Sequence, residues 1–178
     1  CAHCSPPVKL SSRIPDILNH NATHILFDPA IKAQDQPCGL CLRPAPQCRF
    51  VLKGSSPADI QVDGRKLNCP GYSRFSYQTA SVSETRNPSS NVPVLCPTSS
   101  CSAVIWKYML HRHFKECHPG LPQSVYDAHA ISAMEKELLK VLWDNRHTKT
   151  QRKSKKSKQK KGIEQDASER YKTSWALR

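Results

Sequence analysis

The stretch VLCPTSSCSAVIWKYMLHRHFKECHPG, residues 94–120, decides how this chain reads. Cys96 and Cys101 bracket a Pro-Thr-Ser-Ser turn, and His113 and His118 follow, giving C-x4-C-x11-H-x4-H. The middle is one residue short of the usual C2H2 finger pattern. Ile105, Trp106, Met109 and Leu110 recur at helical spacing, which predicts a strand-like start and then a helix over residues 104–115 that carries His113 one turn past Met109. Two thiolates and two imidazoles form a tetrahedral set for zinc, and a closed four-donor shell marks a structural rather than a catalytic site. Cys117 is an alternative to His118, and His111 a weaker alternative to His113. An ordinary amphipathic helix that happens to carry three histidines is the competing reading.

Two further groups repeat the pattern upstream. Cys38, Cys41, Cys48 and Cys69 are spaced C-x2-C-x6-C-x20-C. Cys38-Gly39-Leu40-Cys41 reads as a zinc knuckle, and Cys69-Pro70-Gly71 returns the fourth thiol. Here Cys48 could instead be a buried apolar cysteine. Cys1, Cys4, His20 and His24 are spaced C-x2-C-x15-H-x3-H. Pro15 and Asp16 suit the first turn of a helix, Ile14, Ile17 and Leu18 give it an apolar side, and Asp28-Pro29 ends it. On that helix His20 and His24 share one face. His3 could replace one of the thiols, and ligands could cross between groups.

Composition agrees with a metal-held fold. The chain has 178 residues, 9 cysteines, 8 histidines and 14 prolines, with few aromatics. Small modules with thin cores need a staple, either disulfides or a metal. An odd cysteine count with thiols interleaved with histidines favours metal. The expected fold class is small, metal-stabilised α+β: zinc-finger modules with short hairpins and helices, little conventional core, and a disordered basic tail. The modules expected are residues 1–28, 36–80, 94–120, a helical segment over 121–147, and a tail over 148–178. The chain opens on Cys1 rather than methionine and is expected to be part of a longer one. No run approaches the roughly 20 apolar residues of a membrane span.

Within 36–80, Arg49-Phe50-Val51-Leu52-Lys53 and Ile60-Gln61-Val62 suit strands joined by a Gly-Ser-Ser-Pro turn, and residues 74–79 suit a third. Residues 81–92 are rich in Ser, Asn and Pro and read as a loop. Ser132-Ala133-Met134-Glu135 is a capping box, and Met134, Leu138, Val141 and Leu142 form an apolar stripe beyond it.

The charge of +13 is unevenly placed: residues 146–161 hold nine Lys or Arg and no acid, leaving +4 for the remainder. Such a block reads as a nuclear import signal or a nucleic-acid arm. Arg152, Lys153, Lys155, Lys156, Lys158, Lys160 and Lys161 would grip phosphates without regard to sequence. On the finger helix, Lys107, Arg112 and Lys115 are the candidates to touch nucleic acid, with Arg112 able to read guanine. A solvated basic face is the plainer alternative. No His-Glu-x-x-His helix, no acid placed to activate a metal-bound water and no glycine-rich phosphate loop is present, so no enzyme and no small-molecule substrate are expected.

The block Cys38-Gly39-Leu40-Cys41, then Cys48, Gln61-Val62-Asp63, Cys69-Pro70 and Phe75-Ser76-Tyr77, resembles that of a large group of C2H2-zinc-finger-like proteins of mushroom-forming (basidiomycete) fungi. So do Asn91-Val92-Pro93, Cys96-Pro97, the segment from Ala103 through Tyr108, His113, His118-Pro119, and Leu142-Trp143-Asp144-Asn145-Arg146 before a basic tail. The resemblance runs over nearly all of residues 1–161 and implies zinc binding, but no particular activity. Cys101 departs from it, lying farther from Cys96 than that group's second cysteine. The expectation is therefore a non-enzymatic nuclear zinc protein that binds nucleic acid, DNA foremost. A zinc-scaffolded protein-interaction module, or a remnant of a transposon-encoded protein, is the alternative.

Overall fold

The computed structural model describes residues 1–148, and the basic candidates from Arg152 to the end of the chain lie outside the described residues. So does nearly all of the expected disordered tail. The chain divides into two compact units. In the first, which among the described residues holds Cys1–Lys9 and residues 145–148, the N-terminal segment closes on itself: the Cys1 ammonium donates to the Val8 carbonyl, and the Val8 amide donates to the Cys1 carbonyl at 3.2 Å. Cys4 and Val8 are buried.

The second unit, Leu10–Asp144, is small α+β. Helix α1 (Ile14–Phe27) opens with proline in its first turn and an acidic Asp16 near its positive end, as expected. Asp28 breaks it and caps the short α2 (Pro29–Lys32) by accepting from the Ala30 amide. Strands β1 (Leu52–Lys53) and β2 (Gln61–Val62) pair antiparallel around a 3-10 turn over Pro57–Asp59. After α3 (Tyr77–Ala80), strands β3 (Pro93–Leu95) and β4 (Val104–Trp106) form a second antiparallel pair, with Val94 opposite Ile105. A 3-10 turn over Lys107–Met109 leads into α4 (Leu110–Cys117); α5 (Gln123–Ala128) and α6 (Ala133–Asp144) follow. No helix among the described residues is long and apolar enough to cross a membrane.

Several sequence expectations shift. Residues 74–79 are not a strand: Ser76 caps α3 through the Thr79 amide, so the segment turns helical where no strand pairs with it. The helix expected from residue 104 starts six residues later, because Val104, Ile105 and Trp106 are β-branched or aromatic and pair with β3. The stripe on α6 is out of phase. Glu135 and Leu139 face inward, whereas Met134 and Val141 are 72% and 50% exposed.

There is also more interior than composition promised. One cluster gathers Ile14, Leu18, Cys38, Leu40, Phe50, Val62, Cys69, Tyr77, Val92 and Trp106. A second joins Ala22, Ile25, Ile31, Leu42, Tyr108 and Leu139, so α1 and α6 meet over aliphatic side chains. A third holds Cys96, Ile105, Leu110 and Phe114. Cys38, Cys69 and Cys96 sit within these clusters, and Cys41, Cys48 and Cys101 pack against them.

Residues 88–92 lack regular structure, as read, yet they are buried. Their polar groups find partners outside any strand pair, in side chains and in the backbone of residues 107 and 108. The Ser89 amide donates to Asn19 Oδ1 at 3.0 Å, and the Ser90 amide and hydroxyl both donate to Glu135 Oε1, at 2.8 and 2.7 Å. Asn91 Oδ1 accepts from the Tyr108 amide at 3.1 Å, and the Val92 carbonyl from the Lys107 amide at 3.0 Å. A polar loop can be buried only when its peptide groups find such partners.

Candidate metal centres

Cys38 opens a tight turn. The Leu42 amide donates to the Cys38 carbonyl at 2.8 Å, and the Cys38 amide to the Arg43 carbonyl at 2.9 Å. Leu42 takes a left-handed φ of 58° to close it. Within the turn the Leu40 amide points at Cys38 Sγ, 3.4 Å away, which favours a thiolate there. A second turn, closed by the Tyr72 amide on the Cys69 carbonyl at 3.2 Å, faces the first. A Cβ at Gly71 would lie 3.1 Å from the Leu40 carbonyl and 3.2 Å from Cys41 Cβ. The two turns bring four sulfurs together. Cys38 and Cys69 Sγ are 3.7 Å apart, Cys41 and Cys48 Sγ 3.3 Å, and all four lie within 4.8 Å of one another. Zn–S bonds of about 2.3 Å in a tetrahedron require sulfurs about 3.8 Å apart, so the set has the right size. Cys48 therefore joins the other three and is not merely an apolar filler.

Four thiols at this spacing cannot all ionise unaided. Hydrogen bonds from Cys38 and Cys69 hold Cys41 far down, to about 2. The bond to Cys41 pushes Cys38 up, and burial pushes Cys48 up to about 12. A dication among them reverses that balance and favours four thiolates.

The other centre within this unit is built by the β3–β4 pair and α4. Cys96 follows β3, its amide held by the Ala103 carbonyl at 2.9 Å, and the Cys101 amide donates to the Thr98 carbonyl at 2.9 Å. Leu110 and Phe114 on α4 pack on Ile105, turning His113 toward the thiols. Cys101 Sγ is 3.6 Å from His113 Nε2, Cys96 Sγ is 3.5 Å from His118 Nε2, and the four donors again fall within 4.8 Å of one another. Burial and the neighbouring His118 lower the pKa of His113, which keeps it in the neutral form a metal takes. The alternatives close here: Cys117 is exposed and outside the donor set, and His111 packs its ring against Tyr126, 5.0 Å between centroids. No disulfide joins any described cysteine.

The expected first set is divided between the units. Cys1 and Cys4 belong to the N-terminal segment, His20 and His24 to α1. On α1 the two rings sit 5.0 Å apart, one turn from each other. Buried His24 presents Nδ1 to Asp28 Oδ2 at 2.8 Å. Partial burial works against the Asp28 carboxylate, but the His24 bond prevails and holds its pKa down. That carboxylate fixes the tautomer and leaves Nε2 as the acceptor nitrogen, the usual support for a ligating imidazole. Sequence reading missed Asp28 in this role, although its place four residues after His24, at the end of α1, was a legible signal.

The candidate nucleic-acid residues are placed differently. Arg112 donates from Nε to Glu116 at 2.7 Å and from Nη1 to the Gln34 carbonyl at 2.7 Å. Lys107 Nζ donates to Ser90 Oγ at 2.7 Å. Lys115 is exposed and makes no hydrogen bond or ion pair among the described residues.

The two thiol-bearing centres touch through one close approach. A Cβ at Gly39 would fall 2.5 Å from ring carbons of Trp106, so only glycine lets the 38–41 turn seat on β4. Gly39→Ala is expected to lower stability by about 1–3 kcal/mol through overpacking. A drop in the denaturant midpoint at unchanged m-value would report it. Comparison of the chain with family models, with curated proteins and with solved structures found no match in any of the three.

Proposed function

We propose that the chain is a non-enzymatic, zinc-stabilised nuclear protein that binds nucleic acid, DNA foremost, with zinc holding the fold and the basic run making the main contacts. The observation that carries the zinc part is the convergence of Cys38, Cys41, Cys48 and Cys69, and of Cys96, Cys101, His113 and His118, each four within 4.8 Å. Closed shells of this kind are structural. Cys1, Cys4, His20 and His24 are proposed as a third set on their spacing and on the Asp28 support of His24. Native mass spectrometry of the chain tests this directly: two or three zinc ions are expected, and none would overturn the reading.

The nucleic-acid part rests on the nine Lys or Arg of residues 146–161. Base reading by Arg112 would need its bonds to Glu116 and Gln34 exchanged for guanine, so contact through phosphates, with Lys115 adding to the run, is the better reading. Affinity for duplex DNA should fall steeply with salt, by a slope near 0.9 for each phosphate neutralised. Replacing the seven basic residues of 152–161 with glutamine should flatten that slope and remove most of the affinity, while Arg112→Ala should change affinity little. A large, sequence-selective loss from Arg112→Ala would restore the finger helix as the reader.

A protein-interaction role is the second reading, favoured by one observation. Met134, Leu138 and Val141 lie at i, i+4 and i+7 on α6, and Met134 and Val141 are exposed. A row of this kind suits a partner's apolar groove.

A further inference from the structure

The four thiols of the second centre are not equivalent. Cys38 and Cys69 are only 2% and 6% exposed and lie in an apolar cluster with Leu40, Phe50 and Trp106. Cys41 and Cys48 are half-exposed, and theirs is the shorter of the two close sulfur pairs, 3.3 Å against 3.7 Å. They bound a loop of six residues whose Arg43, Pro46 and Gln47 face solvent. Linking them would tie that loop to itself and draw no strand or helix across the core. In the other centre each sulfur's close partner is an imidazole, at 3.5 and 3.6 Å. There no thiol pair is similarly poised.

We propose that Cys41 and Cys48 are a site of oxidative modification: a peroxide converts them to a disulfide, and the centre lets go of its metal. The inference rests on the zinc reading above and adds to it which thiolates react. In the first step one thiolate attacks a peroxide oxygen, the O–O bond breaks, and a sulfenic acid forms as hydroxide leaves. The second thiolate then attacks that sulfur and displaces a second hydroxide. Two thiolates lose two electrons in all, and hydrogen peroxide takes them up with two protons to give two waters. The ion is left with Cys38 and Cys69 alone, and half a shell does not hold it against water. Thiol reductant with added zinc reverses the change.

The test uses the full chain loaded with zinc. It is exposed to hydrogen peroxide in low molar excess, zinc release is followed with a chromogenic chelator, and remaining thiols are alkylated before peptide mapping. Release of the first zinc equivalent should run parallel with a Cys41–Cys48 disulfide, while Cys38 and Cys69 stay open to alkylation. Dithiothreitol and zinc should restore the starting state. Cys117→Ser removes the most exposed thiol without touching either centre, and the rate of zinc release should stay within about twofold of the parent. A first disulfide at Cys38–Cys69 or Cys96–Cys101, or zinc release without any disulfide, overturns the proposal alone. A chain that carries no zinc before peroxide is added overturns the metal reading and this proposal with it.

Discussion

Stripping the metal with a strong chelator should unfold the β3–β4 pair and α4 together. Structural zinc contributes on the order of 10 kcal/mol or more, comparable with the whole stability of a small domain, about 5–15 kcal/mol. The hairpin has three residues in each strand, and α4 has eight, too few to stand alone in water. Leu110, His113 and Phe114 are buried on one face of α4, and His118 follows its last residue, so the two histidines would tie that face to the hairpin through the metal. Hydrogen exchange gives the cleanest readout. The Cys96 and Lys107 amides, bonded to Ala103 and Val92, should lose protection on chelation and regain it with zinc. The effect should spread to residues 38–42, because Trp106 supports that turn at Gly39. Unchanged protection in fully metal-free chain would show that the apolar clusters suffice and that the thiols are incidental.

Removing the Glu135 carboxylate is the second large effect expected. Its Oε1 accepts from the Ser90 amide, the Ser90 hydroxyl and the Tyr108 hydroxyl. Burial, reinforced by that bond, drives the Tyr108 phenol pKa upward, so Tyr108 stays a donor at any ordinary pH. Glu135→Ala would leave three donors buried without an acceptor and a void beside Leu139. Each buried donor left without an acceptor costs about 1–3 kcal/mol, so a loss of several kcal/mol is expected. Glu135→Gln keeps an oxygen in place and should recover part of it. Ser132→Ala removes only the cap, whose hydroxyl accepts from the Glu135 amide at 3.1 Å, and should cost about 1 kcal/mol. Equilibrium denaturation of the three variants tests the order. Equal losses from Glu135→Ala and Ser132→Ala would reduce Glu135 to a capping residue.

The Cys/His clusters were the legible part of the sequence, because the side-chain types and spacings that could hold a metal are set locally. Cys38 with Cys41, and His20 with His24, are each separated by a single turn, and that separation is written in the chain. The α1 boundaries were legible for the same reason: Pro15, Asp16 and Asp28-Pro29 act within a few residues. What escaped depended on distant partners. Ser132 and Glu135 matched a capping box, yet only the serine half acts as one, since the Glu135 side chain turns inward to Ser90 and Tyr108. The stripe read over Met134, Leu138, Val141 and Leu142 left out Leu139, and only the position of α1 decides that Leu139 is the one covered. Val104 through Trp106 had helical spacing, and pairing with β3 overrode it. Arg112 looked free to reach outward because its acceptor at Gln34 is far away in sequence.

The anchoring of residues 88–92 has a consequence for limited proteolysis. Glu84, Thr85 and Arg86 are exposed just ahead of a segment held at both flanks by Asn19 and Glu135. Trypsin that cuts after Arg86 would sever the polypeptide without freeing either piece, and the nicked protein would elute from a sizing column as one particle until denaturant parted its halves.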